Sequence, residues 1–308
     1  TACSSGSGTW DWNWSTSIRS RDVRSTDTQG PDAGPPLLPA HALFRPRLVD
    51  RIDAGTQGRV TVVVAPAGYG KSVAVVQWRR TVTDRPVVWV DLQPSDDDAA
   101  QLARTLQASL GAALPAELAA ELSSAFDLGD LGGRSLGAEL VEQLVRDFAL
   151  VDDLVVVLDN YEVLRNGDLV RDVSTIVTSS PPGVHFVIIS RSDPGIQLGR
   201  LRVAGDVVEI RADVLALSVE EAATMLRYTA GATLDDDAIR RIWERTSGWP
   251  AALQLAAVTM RDHGDPGEFV ERFWGDTRQV SDYLTEEVLS VCSPGERTFL
   301  IETSQLDR

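Results

Sequence analysis

The sequence predicts an α/β fold, a five-stranded parallel sheet between layers of helix, followed by an all-helical region. Three observations predict it: short β-branched apolar runs, amphipathic stretches between them, and the loss of the strand pattern after about Asp213. The runs are Val60–Ala65, Val87–Val90, Leu154–Leu158, Val184–Ile189 and Val207–Ile210. They are almost continuously apolar, the pattern of strands buried on both faces. Helical patterns near Lys71–Thr81, Ala99–Leu110, Gly137–Phe148 and Leu169–Thr178 separate them. That alternation implies right-handed crossovers and a doubly wound sheet.

Ser218-Val219-Glu220-Glu221 reads as a capping box that opens the helical region, with Ser at the cap and Glu three residues on. Further helices are expected near Asp235–Thr246, Ala251–Arg261, Pro266–Trp274, Val280–Val291 and Pro294–Ser304. The first 36 residues read as a polar tail closing on Gly30-Pro31-Asp32-Ala33-Gly34-Pro35-Pro36. Such a segment buries too little to offset the entropy of ordering it. Trp10, Trp12 and Trp14 alternate within it, and nothing around them supports a core.

Composition narrows the function. The 308 residues are 43% hydrophobic and carry a formal charge of −16. A surface this acidic repels phosphate backbones and anionic lipid, so DNA contact is expected only from a part of the protein outside this stretch. No apolar run approaches the roughly 18 residues of a membrane-spanning helix. Thr1 to Thr16 lacks the apolar segment of a secretory signal. Cys3 and Cys292 form neither a disulfide framework nor a metal cluster and read as free thiols of a cytoplasmic protein. His41, His185 and His263 are scattered and receive no role.

The chemistry is concentrated in Ala65-Pro66-Ala67-Gly68-Tyr69-Gly70-Lys71-Ser72, between a strand and a helix. This is a P-loop: Gly68 and Gly70 let the backbone curl so that its N–H groups face an anion, and the helix start adds to the field. Lys71 is placed to reach β- and γ-phosphates and Ser72 to ligate Mg²⁺. The strict pattern begins with Gly where this chain has Ala65. Lys71 is also the sole lysine of the chain. A GC-rich coding bias accounts for the arginines elsewhere but not for the one lysine falling here, where a compact point charge suits the role better than a fork.

Leu154-Val155-Val156-Val157-Leu158-Asp159 supplies the second half of the site, a buried strand ending in an acid that holds Mg²⁺. Asn160 follows, where ATPases of this kind usually carry an acid that activates water. An amide takes up no proton at neutral pH, so hydrolysis is expected to be slow. Glu162 is a weaker candidate base. The strand ending at Ser190-Arg191 offers either residue as a γ-phosphate sensor. On local grounds Gly248-Trp249-Pro250 is a simple helix start.

Together these segments resemble the nucleotide-binding module of MalT-like, large ATP-binding LuxR-family transcriptional regulators, the STAND class of P-loop ATPases. The resemblance is carried by Arg45-Pro46-Arg47-Leu48, the P-loop with Gln77-Trp78, Val88-Trp89-Val90-Asp91-Leu92, Leu158-Asp159-Asn160-Tyr161, Ser190-Arg191 with Leu198-Gly199-Arg200-Leu201-Arg202, and Gly248-Trp249-Pro250-Ala251-Ala252-Leu253. Asp282–Leu289 and Thr303–Arg308 extend it. It implies a P-loop NTPase fold, an all-helical domain and the start of a winged-helix region, with boundaries at 1–36, 37–212, 213–276 and 277–308. It implies that the Ser190 strand lies between the P-loop strand and the Asp159 strand, with Arg191 beside the γ-phosphate. Arg45 and Pro250 join the nucleotide-binding residues, Pro250 on the adenine. The implied ligands are ATP or ADP with Mg²⁺. The implied behaviour is a switch in which ADP holds a closed form, and ATP plus an inducer opens it to oligomerise. Inducer binding, oligomerisation and a DNA-binding helix-turn-helix fall to regions beyond Arg308. An AAA-like ATPase doing mechanical or chaperone work is the alternative reading, and Asn160 argues against it.

Overall fold

The five apolar runs become the strands of one parallel sheet, in the order β2-β3-β4-β1-β5. They are β1 (Val60–Val64), β2 (Val87–Asp91), β3 (Leu154–Asp159), β4 (Val184–Ser190) and β5 (Val207–Ile210). The structure is a computed structural model that describes residues 34–39, 42–119, 133–151, 153–230 and 234–262. The expected helices after Arg261, the winged-helix start at 277–308, the tail tryptophans, both cysteines, His41 and His263 lie outside the described residues.

Every residue of β3 and β4 is buried. Period-two alternation then splits each strand between two cores. Leu154, Val156 and Leu158 face α3 (Ala99–Ala113), α4 (Ala138–Phe148) and α5 (Gly167–Ser179). Val155 and Val157 face the opposite layer, α1 (Pro46–Gly55) and α2 (Lys71–Arg79). Helices on both faces are what a parallel sheet with continuous apolar strands requires.

Strand order places β4 between β1 and β3, as the resemblance implied. Register pairs Val64 with Ser190 and Asp91 with Asp159. Their carboxyl ends therefore form one rim, where open α/β sheets bind ligands.

Two short helices, α6 (Gly199–Ala204) and α7 (Ala212–Leu215), flank β5. The helical region then packs α8 (Val219–Ala230), α9 (Asp236–Thr246) and α10 (Pro250–Asp262) around a third core that includes Leu226, Ile239, Ile242 and Leu253. The capping box forms in full: the Glu221 backbone N–H donates to Ser218 Oγ at 3.2 Å, and the Ser218 N–H donates to Glu221 Oε2 at 2.9 Å.

Candidate functional site

β1 stops at Val64, although the Ala65 N–H still donates to Ser190 O at 3.3 Å. The loop then turns through two left-handed glycines, Gly68 at φ 76° and Gly70 at φ 73°. L-residues resist that region, which is why the loop uses glycine there. Gly70 is the N-cap of α2, so Lys71 and Ser72 open the helix and its first N–H groups point into the loop. Lys71 Nζ donates to Pro66 O at 3.1 Å, folding the cation back over the loop.

Ser72 Oγ donates to Asp159 Oδ1 at 3.0 Å, across 87 residues of chain. These two hard oxygens, one from each half of the site, fit Mg²⁺, which takes one or two protein oxygens and completes its shell with phosphate and water. Burial pushes the Asp159 carboxyl up to about 6. Hydrogen bonds from Ser72 and the Asn160 N–H oppose that shift, while the Asp91 and Glu162 charges add to it. A divalent cation there would favour the ionised form.

Asn160 sits in the left-handed region at φ 57°. Its side-chain amide donates to Asp91 Oδ1 at 2.8 Å, so it is turned toward the end of β2. Glu162 is ion-paired with Arg191, Nε to Oε1 at 3.1 Å, and accepts the Arg191 backbone N–H at 3.0 Å. The two residues proposed from sequence for separate tasks, a substitute base and a γ-phosphate sensor, thus hold one another. Ser190 is fully buried at the end of β4.

Beside the loop lies a cleft of about 260 Å³. Gly68, Tyr69 and Gly70 form one wall; Leu217, Met225 and Pro250 form another. The P-loop and Pro250, distant in sequence, therefore meet around one cavity. Arg45 also borders it, but its guanidinium is engaged elsewhere. It donates to Leu215 O at 2.6 Å and Ala216 O at 2.9 Å, and pairs with Glu221 at 3.0 Å. Arg45 therefore ties the start of α1 to the segment between α7 and α8.

Sequence reasoning missed three features. Asp91 joins the Asp159 cluster because register sets the two acids side by side. Glu221 serves both the capping box and Arg45. Trp249 donates its indole N–H to Ala67 O at 3.1 Å, inside the P-loop. The strand-end position of Asp91 and the capping role of Glu221 were visible beforehand; the Glu221–Arg45 pair and the Trp249–Ala67 bond depend on tertiary approach.

Known proteins carry the same pattern. Residues 54–192 match the family described as AAA domain. Over 276 residues the chain is 27% identical to the serine/threonine-protein kinase PknK of Mycobacterium tuberculosis, covering 89% of this chain and 25% of that protein. Over 272 residues it is 28% identical to the HTH-type transcriptional regulator MalT of Vibrio campbellii, covering 87% of this chain and 29% of that one. The chain thus spans between a quarter and a third of the length of these relatives. Among solved structures, a Walker-type ATPase of Pyrococcus abyssi aligns with a TM-score of 0.53 at 15% identity, covering 85% of this chain and 77% of that chain. Sequence match and backbone topology agree on the fold: the chain carries a P-loop NTPase domain, and its residues 54–192 are similar to the family described as AAA domain.

Proposed function

We propose that this chain is the ATP/ADP-binding switch module of a MalT-like, STAND-type transcriptional regulator, with slow or no hydrolysis. The observation that carries the proposal is the shared cleft: one wall is the phosphate-binding loop and the other belongs to the helical region. A ligand held by both walls favours their pairing by its differential affinity for the paired state.

In this reading the N–H groups of the loop take the phosphates, and Lys71 swings from Pro66 O to the β- and γ-phosphates. Ser72 and Asp159 hold Mg²⁺, which when bound offsets the charge of the phosphates. Pro250 packs on the adenine. Arg191 senses a γ-phosphate by exchanging Glu162 for it, and that exchange frees Glu162. The Asn160 amide, turned to Asp91, supports slow hydrolysis because it takes no proton from water. Inducer recognition, oligomerisation and DNA binding are assigned to other parts of the whole protein. The kinase activity named for PknK is not extended to this chain, which has neither a His-Arg-Asp nor an Asp-Phe-Gly tripeptide.

Calorimetry with ADP and Mg²⁺ tests the reading. Lys71→Ala removes a charge-assisted phosphate contact worth about 1.5–3 kcal/mol, so affinity should fall roughly tenfold to a hundredfold. Equal affinities for wild type and Lys71→Ala would overturn it.

A further inference from the structure

We propose that Trp249, from the helical region, is a positioning residue of the phosphate-binding loop: it sets the direction of the loop's N–H groups. This rests on the nucleotide-binding reading of the cleft and extends it to how the loop acquires its shape.

The chain reaches the loop through a tight reversal after α9. Ser247 at φ 49° and Gly248 at φ 71° both lie in the left-handed region. Only glycine fits at 248, since a Cβ there would lie 2.4 Å from Leu217 O and 3.0 Å from Trp243 Nε1. The reversal is anchored on one side to the segment before α8: the Leu217 N–H donates to Gly248 O at 2.8 Å, and Trp243 Nε1 donates to Leu217 O at 2.7 Å. On its other side it grips the P-loop. Trp249 Nε1 donates to Ala67 O at 3.1 Å, and the Ala251 N–H donates to Gly68 O at 3.1 Å. The Trp249 ring also stacks on Tyr69, with centroids 6.3 Å apart and planes at 29°.

The two acceptors decide the consequence. Carbonyl and N–H of one trans peptide unit point in opposite directions. The carbonyl of Ala67 shares its unit with the N–H of Gly68, and the carbonyl of Gly68 with the N–H of Tyr69. Drawing both carbonyls toward the 249–251 turn therefore aims both N–H groups the other way. These N–H groups belong to the anion-facing part of the loop. The nest is oriented by a partner outside the α/β domain. Seating of the helical region and competence for phosphate then become one equilibrium.

The test separates phosphate binding from base binding in the full chain. Trp249→Phe keeps an aromatic ring beside Tyr69 and removes the indole donor. Affinity for ADP should fall roughly three- to tenfold, the loss of one neutral hydrogen bond, while affinity for AMP, which lacks a β-phosphate, stays within about twofold. Equal loss for ADP and AMP would reduce Trp249 to a structural residue and overturn the proposal. No loss for either would overturn it too. A wild type that binds neither would overturn the nucleotide reading itself. A second measurement needs no variant. Pyrophosphate touches the loop and no base pocket, so it should slow exchange of the Trp249 indole proton in the wild-type protein. Pyrophosphate that binds and leaves that proton unchanged contradicts the coupling.

Discussion

Burial raises the Asp159 carboxyl from 3.8 to about 6, and that shift has a sign for stability. A folded-state value above the ordinary one means that the folded protein resists ionisation at this position. The penalty is absent below about pH 4, grows through the interval, and is complete above about pH 6. In metal-free buffer, Asp159→Asn should therefore stabilise the protein by up to about 2–3 kcal/mol at pH 8, with the gain vanishing near pH 4. Urea denaturation at both pH values checks this, and a gain independent of pH would show that ionisation is not its source. Asn160 has a related geometry. Its amide donates to Asp91, so Asn160→Asp alone sets a new carboxylate against Asp91. Single-turnover assays should show a smaller rise in hydrolysis for Asn160→Asp than for Asn160→Asp with Asp91→Asn, within the roughly 10²–10⁴-fold that a general base contributes. The identities of Lys71, Ser72 and Asp159 were legible in the sequence because motif and strand context fix their positions. The Asn160–Asp91 bond was not, because it depends on which strand lies beside β3.

Strands were the most legible elements. Their apolar runs ended within a residue of the observed boundaries, and β5 matched at both ends. Helix α1 was not predicted as a helix, although Pro46 at its first turn and Leu48, Val49 and Ile52 on one face carry the signal. On local grounds the Gly248-Trp249-Pro250 turn reads as a plain helix start, since the bond from Trp249 to Ala67 spans 182 residues. Its backbone demands are severe. Gly248→Ala forces a left-handed residue against Leu217 O, which should destabilise the protein by about 2 kcal/mol or more. ADP affinity should fall with it, because the same turn grips the P-loop. Chemical denaturation and calorimetry on one variant check both halves. At the opposite end of the segment, Ser218→Ala removes a cap worth about 0.5–2 kcal/mol. It leaves the Arg45–Glu221 pair in place, so ADP affinity should change little.

On the scale of the whole molecule, the P-loop domain and the helical region share one cleft, and two sets of bonds and one cavity-lining residue connect them. Arg45 holds the segment before α8, Trp249 and Ala251 hold the P-loop, and Pro250 lines the cavity. The net charge of −16 also sets an expectation for partners. Residues 1–308 alone should show no sequence-specific retention of an operator duplex in a gel-shift assay, since a net charge of −16 repels the phosphate backbone. The strand-to-helix transition was legible from the end of the apolar runs. That the helical region approaches the P-loop is implied by the resemblance, which sets Pro250 on the adenine, but the contact between Ala67 and Trp249 is encoded by no local pattern. The central claim, that nucleotide clamps the two parts together, is tested most directly by hydrogen exchange at the Leu217 and Ala251 amides with and without ADP. At about 100 times the dissociation constant, ADP contributes about 2.7 kcal/mol to the state that binds it, so both amides should exchange up to roughly a hundredfold more slowly. Protection confined to the P-loop amides, with Leu217 and Ala251 unchanged, would contradict the clamp and leave the helical region as a passive neighbour of a nucleotide-binding core.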